Sequence, residues 1–98
     1  MPVRPKTPPK PGRPKGSTSL DLGIAEVFGK HAQARRLKTG LSQEALALEA
    51  GLERSYLSRL ERGKNQPTLL ALLKLAKGLG CEVAELLAPA EKAFKKRR

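Results

Sequence analysis

The stretch Ser42-Gln-Glu-Ala-Leu-Ala-Leu-Glu-Ala-Gly-Leu-Glu-Arg-Ser-Tyr-Leu-Ser-Arg-Leu-Glu-Arg-Gly63 contains two short helical patterns separated only by Gly51 and Leu52. Ser42 suits the N-cap of a helix over about 43–50, because its hydroxyl can accept from an otherwise unpaired first-turn amide. Leu46, Ala47 and Ala50 give that helix an apolar face. Gly51 then stops it in a backbone conformation with positive φ, which glycine adopts without strain. The next helix covers about 53–62, with Leu57 and Leu60 inward and Gly63 as its stop. Two helices joined this tightly cannot lie side by side antiparallel. They must cross steeply, as in a helix-turn-helix over 43–62. Ala47 falls where the pair approaches most closely, so a larger side chain there would push the helices apart. Leu46, Leu52, Leu57 and Leu60 wedge the pair onto the rest of the chain.

Three further helices flank this pair. The first runs over about 21–38, with Ser19 or Asp21 near its start, Gly40 past its end, and Ile24, Val27 or Phe28, and Ala32 on its inward stripe. A fourth follows Pro67 with Thr68 as N-cap and repeats Leu69, Leu72, Leu73, Ala76 and Leu79 before Gly80. A fifth covers about 82–88 with Val83, Leu86 and Leu87, after which Pro89 discourages continuation. No segment alternates with period two while carrying β-branched residues. The fold class is therefore all-α, a bundle of five helices with no strand.

Charge is distributed unevenly. The 98 residues carry 20 Lys and Arg against 9 Asp and Glu, a net charge of +11. Residues 1–17 hold Arg4, Lys6, Lys10, Arg13 and Lys15 with no acid, whereas residues 88–98 hold Lys92, Lys95, Lys96, Arg97 and Arg98 against Glu91. The middle is nearly balanced. The organisation is thus a basic, proline-rich, disordered arm over 1–18, a helical domain over 19–88, and a basic C-terminal tail over 89–98. A balance this positive favours a polyanion as partner, above all nucleic acid. An anionic membrane is a weaker choice, because the basic segments lack interleaved large apolar residues. No apolar run approaches the roughly 20 residues that span a bilayer, and the basic N-terminus has no apolar stretch behind it to make a secretory signal. One cysteine, Cys81, excludes an intramolecular disulfide.

Several short blocks together resemble the phage repressor/Cro-type helix-turn-helix family. They are Gly40-Leu-Ser-Gln-Glu-Ala-Leu-Ala47, Ala50-Gly-Leu52, Tyr56-Leu-Ser-Arg-Leu-Glu-Arg-Gly63, Asn65-Gln-Pro-Thr68 and Leu72-Leu-Lys-Leu-Ala-Lys-Gly-Leu79. The resemblance covers about residues 24–87. It implies a compact five-helix domain that binds operator DNA as a dimer, regulates transcription, and lays its third helix in the major groove. Carried over position by position, the family's base-reading residues fall on Arg54, Ser55, Ser58 and Arg59. Helical geometry independently puts these opposite Leu57 and Leu60. The competing reading for Arg54 and Arg59 is a solvated surface cation or a phosphate contact without base preference.

The resemblance also implies phosphate contacts at Ser42 and Gln43, at the start of the second helix, and at Lys64, Asn65 and Gln66 in the loop after the third. A helix N-terminus favours an anion, though Ser42 and Gln43 can equally serve as caps. Arg36 and Glu61 match the family's ion pair between helices one and three, a structural role. Glu53 replaces the family's usual small hydroxyl residue. A carboxylate there suits the helix dipole but repels phosphate, and it either reads a cytosine amino group or folds back onto Arg54.

Within the arm, Lys10-Pro-Gly-Arg-Pro-Lys-Gly-Ser17 looks like an AT-hook, whose Gly-Arg-Pro core lies in a narrow A·T minor groove. Arg13 would be the inserted arginine, flanked by Lys10 and Lys15. Pro11 stands where the usual hook has another arginine, so a purely electrostatic arm is the alternative.

Enzyme chemistry finds little support. His31 is the only histidine and Cys81 the only cysteine, which makes neither a zinc set nor a nucleophile pair. No cofactor or metal is expected, and no small-molecule ligand, since no sensing domain follows residue 87. The sequence therefore reads as a homodimeric transcriptional repressor on a pseudo-palindromic site, acting at the nucleoid in a bacterial cytoplasm. Dimer contacts would come from Val83, Leu86, Leu87 and Phe94, unless these only close the monomer core. The alternatives are an antitoxin-type protein-binding module that also binds DNA, and a nonspecific architectural or RNA binder. The basic, apolar-poor tails argue against the first of these. With only Phe28, Tyr56 and Phe94 as aromatic stacking platforms, RNA is the weakest choice.

Overall fold

A computed structural model describes residues 20–97, and within them five helices form: α1 (Leu22–Thr39), α2 (Gln43–Ala50), α3 (Arg54–Glu61), α4 (Leu69–Leu79) and α5 (Val83–Lys96). The helix ends carry the caps that the sequence calls for. Asp21, Ser42 and Thr68 each accept from the amide three residues on, those of Ile24, Ala45 and Ala71. Gly51 closes α2 at φ 73°. The expected arm at 1–18, including the hook-like segment at 10–17, lies outside the described residues.

The core is assembled around Leu46, Leu57, Leu60, Leu75 and Leu86, all fully buried, with Phe28 and Ala32 from α1 closing one side. α5 packs along α1 and α4 along α2, while α3 contacts both α1 and α2. On α1 the inward aromatic position is taken by Phe28 rather than Val27, which is half-buried.

Three expectations change. The fifth helix does not end near residue 88: it continues through Pro89 to Lys96, so most of the anticipated tail is helical. Proline removes the amide that would bond the Glu85 carbonyl. His31 Nε2 of α1 stands 3.2 Å from Glu85 O, and the same nitrogen accepts from Arg35 Nε at 3.0 Å. Burial of Ala90, one residue beyond the proline, gives the continuation a packing reason.

On α4 the buried stripe is Ala71, Leu75, Ala76 and Leu79, leaving Leu69 73% and Leu73 51% exposed. With leucine at six of the helix's eleven positions, several stripes were compatible with the pattern. Gly78 sets the rotation, because a Cβ there would stand 3.0 Å from both Ala50 Cβ and Leu46 Cδ1 of α2. Finally Leu86, expected at a dimer surface, is fully buried in the chain's own core and is unavailable to a partner. Leu87 and Val83 are half-buried, and Phe94 is 65% exposed.

Candidate nucleic-acid interface

α3 is a short helix with two different faces. Leu57 and Leu60 are fully buried, while Arg54, Ser55 and Arg59 are exposed and Ser58 half-buried on the other side. The segregation follows from spacing: residues three and four apart share a helix face. Glu53 occupies the N-cap position but makes no side-chain cap bond and, among the described residues, no ion pair with Arg54.

Three contacts fix the angle at which α3 is presented. Arg36 of α1 forms a two-pronged bond to Glu61, Nε to Oε2 at 2.6 Å and Nη2 to Oε1 at 3.0 Å, and its Nη1 donates to Leu41 O at 2.9 Å. Both residues are buried, at 7% and 5% exposure. Parallel N–H···O bonds between planar groups are strong and directional, so the pair defines an orientation as well as a contact. Gln43 then donates from Nε2 to Glu61 Oε1 at 2.9 Å, joining α2 to the same carboxylate. The third contact is backbone on backbone. Gly29 of α1 lies against the end of α3, where a Cβ would overlap Leu60 O and stand 2.7 Å from Glu61 O.

The residues expected to touch phosphate divide by the partners they already have. Ser42 Oγ accepts from Ala45 N at 3.0 Å, as a cap. Gln43 is committed to Glu61. Gln66 Oε1 accepts from Asp21 N at 2.6 Å, and Asn65 bonds Arg59. Lys64 is exposed. Sequence reading passed over three features here. Arg62 is exposed at the C-cap of α3 with its Nε 3.4 Å from Ser58 O, Tyr56 Oη accepts from Thr68 N at 3.4 Å, and Gly29 allows the close approach just described. A buried-pattern glycine in mid-helix was the available signal for the last.

A junction at Asp21 links this loop to both ends of the domain. Besides capping α1 and bonding Gln66, Asp21 is paired with Arg97 beyond α5, one contact being Nη2 to Oδ1 at 3.1 Å. The Arg97 guanidinium, and after it the Ile24 amide, hold the Asp21 carboxyl below its ordinary value of 3.8. Elsewhere burial pushes the Cys81 thiol above its ordinary 9.0, with Arg35 opposing. Among the described residues no group of three or more His, Cys, Asp or Glu side chains could hold a metal ion, and no helix is long and apolar enough to cross a membrane.

Residues 32–86 match the family described as helix-turn-helix, a span from mid-α1 into α5. The chain belongs to the helix-turn-helix family. Among its relatives, an uncharacterized HTH-type transcriptional regulator, y4dJ, of Sinorhizobium fredii is 34% identical over 70 residues, which cover 71% of this chain and 91% of the relative. The control protein C.MunI of a Mycoplasma species is 42% identical over 66 residues, covering 66% of this chain and 89% of the relative. Among solved structures, the restriction-modification controller protein C.AhdI of Aeromonas hydrophila superposes with a TM-score of 0.64 at 42% identity, over 65% of this chain and 97% of that one. This helix-turn-helix protein is therefore a DNA-binding transcriptional regulator of the Cro/C1 type.

Proposed function

We propose that the protein is a homodimeric repressor that reads a pseudo-palindromic operator through the major groove. The observation that carries this is the exposure of Arg54, Ser55 and Arg59 on one face of α3, while the opposite face and end of that helix are locked by Leu57, Leu60 and the Arg36–Glu61 pair. A rigid helix with a polar edge is what direct readout needs, because a bidentate arginine–guanine contact tolerates little misalignment. Arg54 and Arg59 supply the guanidinium forks, and Ser55 and Ser58 add shorter contacts. The first turn of α2 at Ser42 and the Lys64 side chain meet phosphate and set register rather than sequence. Gln43, Asn65 and Gln66 act mainly through the protein partners they already hold.

The dimer surface runs along α5. Val83, Leu87 and Phe94 follow one another at intervals of four and seven residues, a stripe suited to packing against a second helix. Leu87 and Phe94, with Ala84, Ala90 and Glu91 of the same helix and Ile24 of α1, line a shallow, mostly apolar groove. Two copies related by a two-fold axis would place their α3 helices in successive major grooves, about 34 Å apart.

The arm adds a minor-groove contact through Arg13, with Lys10 and Lys15 beside it. Support comes from where the arm is rooted: Asp21 is bonded to Gln66 in the loop after α3, so the preceding residues start at the DNA-facing side. Seven residues separate Arg13 from Asp21, and seven residues of any chain span at most roughly 23 Å, the distance available for reaching an adjacent groove.

Selection of binding sites from randomised duplex DNA tests this reading, with the full chain and with a chain starting at Thr18. A two-fold-symmetric motif recovered by both is the expected result, with an A·T-rich flank present only for the full chain. Binding without any enriched motif would overturn the operator reading.

A further inference from the structure

Arg59 stands on the last turn of α3, and Asn65 lies in the loop that follows. Oriented to satisfy both polar atoms of its amide, Asn65 accepts a hydrogen bond from Arg59 Nε at 3.0 Å and donates one to Lys64 O at 2.9 Å. The loop holding that amide is itself anchored. Lys64 N donates to Arg59 O at 2.9 Å and Gly63 N to Leu60 O at 3.1 Å. Gly63 turns the chain at φ 75°, packed so closely on α1 that a Cβ would come 2.9 Å from Glu26 Cα. Gln66, the residue after Asn65, is fastened to Asp21. The acceptor offered to Arg59 is therefore fixed relative to the helix that bears it.

A guanidinium has five N–H donors in one plane. A bond at Nε uses one of them and restricts the plane, while the two terminal nitrogens keep the paired donors that match O6 and N7 of guanine. Arg54, at the other end of α3, has no such arrangement: among the described residues its side chain makes no hydrogen bond or ion pair. The two arginines on the reading face thus differ, one pre-oriented and one free to adjust.

We propose that Asn65 is a positioning residue that orients the Arg59 guanidinium for base reading, rather than a phosphate contact. The proposal rests on the reading of Arg59 as a base contact. The two roles of Asn65 differ in what they change. A phosphate contact strengthens binding to every duplex and contributes to the salt dependence. A positioning residue alters preference at one base pair in each half-site and leaves the salt dependence alone.

The experiment uses the full chain and duplexes carrying the selected operator and its single-base variants, titrated at several salt concentrations. Arg59→Ala is expected to flatten preference at one position by about 5- to 150-fold. Asn65→Ala is expected to reduce preference at that same position by about three- to tenfold, with an unchanged salt slope and no added effect in the Arg59→Ala background. Asn65→Asp keeps an acceptor for Nε and retains the preference while weakening binding to all sequences. Asn65→Lys offers no acceptor, so it loses the preference while steepening the salt slope, and it serves as second probe should the alanine variant fold poorly. A uniform loss of affinity with a shallower slope in Asn65→Ala would make Asn65 a phosphate contact and overturn the proposal. If Arg59→Ala changes a preference and the Asn65 variants do not, the positioning role alone falls. If Arg59→Ala leaves every preference intact, the reading of Arg59 falls with it.

Discussion

Gly29 and Leu60 bring α1 and α3 into backbone contact: the hydrogen at the Gly29 Cα faces the Leu60 carbonyl, where no Cβ fits. The end of α3 therefore rests directly on the backbone of α1 at this point. Alanine is the better helix former by about 1 kcal/mol, yet here its methyl group meets two backbone oxygens that cannot rotate away. Gly29→Ala should destabilise the fold by about 1–3 kcal/mol net, read as a lower midpoint in urea. Any folded population should discriminate operator from random DNA less well, because α3 is displaced.

The Arg36–Glu61 pair should behave as a buried unit. Removing one partner by Arg36→Ala or Glu61→Ala leaves a charge or acceptor set stranded, at a cost of about 3–5 kcal/mol. Arg36→Lys should recover only part of this, since an ammonium cannot reproduce two parallel bonds to Glu61 together with the bond to Leu41 O. Thermal unfolding of the three variants measures the difference.

Phe94→Glu should shift the dimer toward monomer, seen by sedimentation, and weaken operator binding without altering monomer stability, because the ring is mostly exposed. Leu70→Glu, on the exposed start of α4, should leave the assembly intact. Dissociation by the second substitution and not by the first would move the interface to α4.

Removing residues 1–17 deletes five cations. If all five meet phosphate, the salt slope of DNA binding should flatten by up to about 4.5. Affinity measured across a range of salt concentrations gives the slope, while the selected two-fold motif should persist.

Asp21 gives a pH dependence of known sign. Its carboxyl is held below 3.8 in the folded chain by Arg97 and the Ile24 amide, so its contribution to stability is complete above the unfolded value and is lost as pH falls through the folded one. Asp21→Asn should therefore show a smaller loss of thermal stability than the parent chain between neutral pH and strong acid.

Much of the helix-turn-helix is legible in the sequence alone. Ser42, Gly51 and the Leu57–Leu60 spacing located α2 and α3 to within a residue or two, since caps, a positive-φ stop and helical periodicity are local properties. The outward face of α3 followed from the same period. Resemblance to a family added the pairing of Arg36 with Glu61, which no local rule connects across 25 residues of chain.

Contacts between distant segments were not legible. Pro89 read as a stop because its own missing amide is a local fact, whereas the burial of Ala90 and the approach of His31 to Glu85 O depend on α1 lying alongside. The leucine-rich α4 was compatible with several rotations until Gly78 met Ala50. Leu86 and Phe94 share an apolar character, yet one lies in the core and the other on the surface. Local patterning thus established which segments are helical and which face of α3 is polar, because those depend on neighbours within one or two turns. Packing settled how far α5 runs, which leucines are hidden and which side chain holds Arg59, because each depends on surfaces brought together only when the chain has folded.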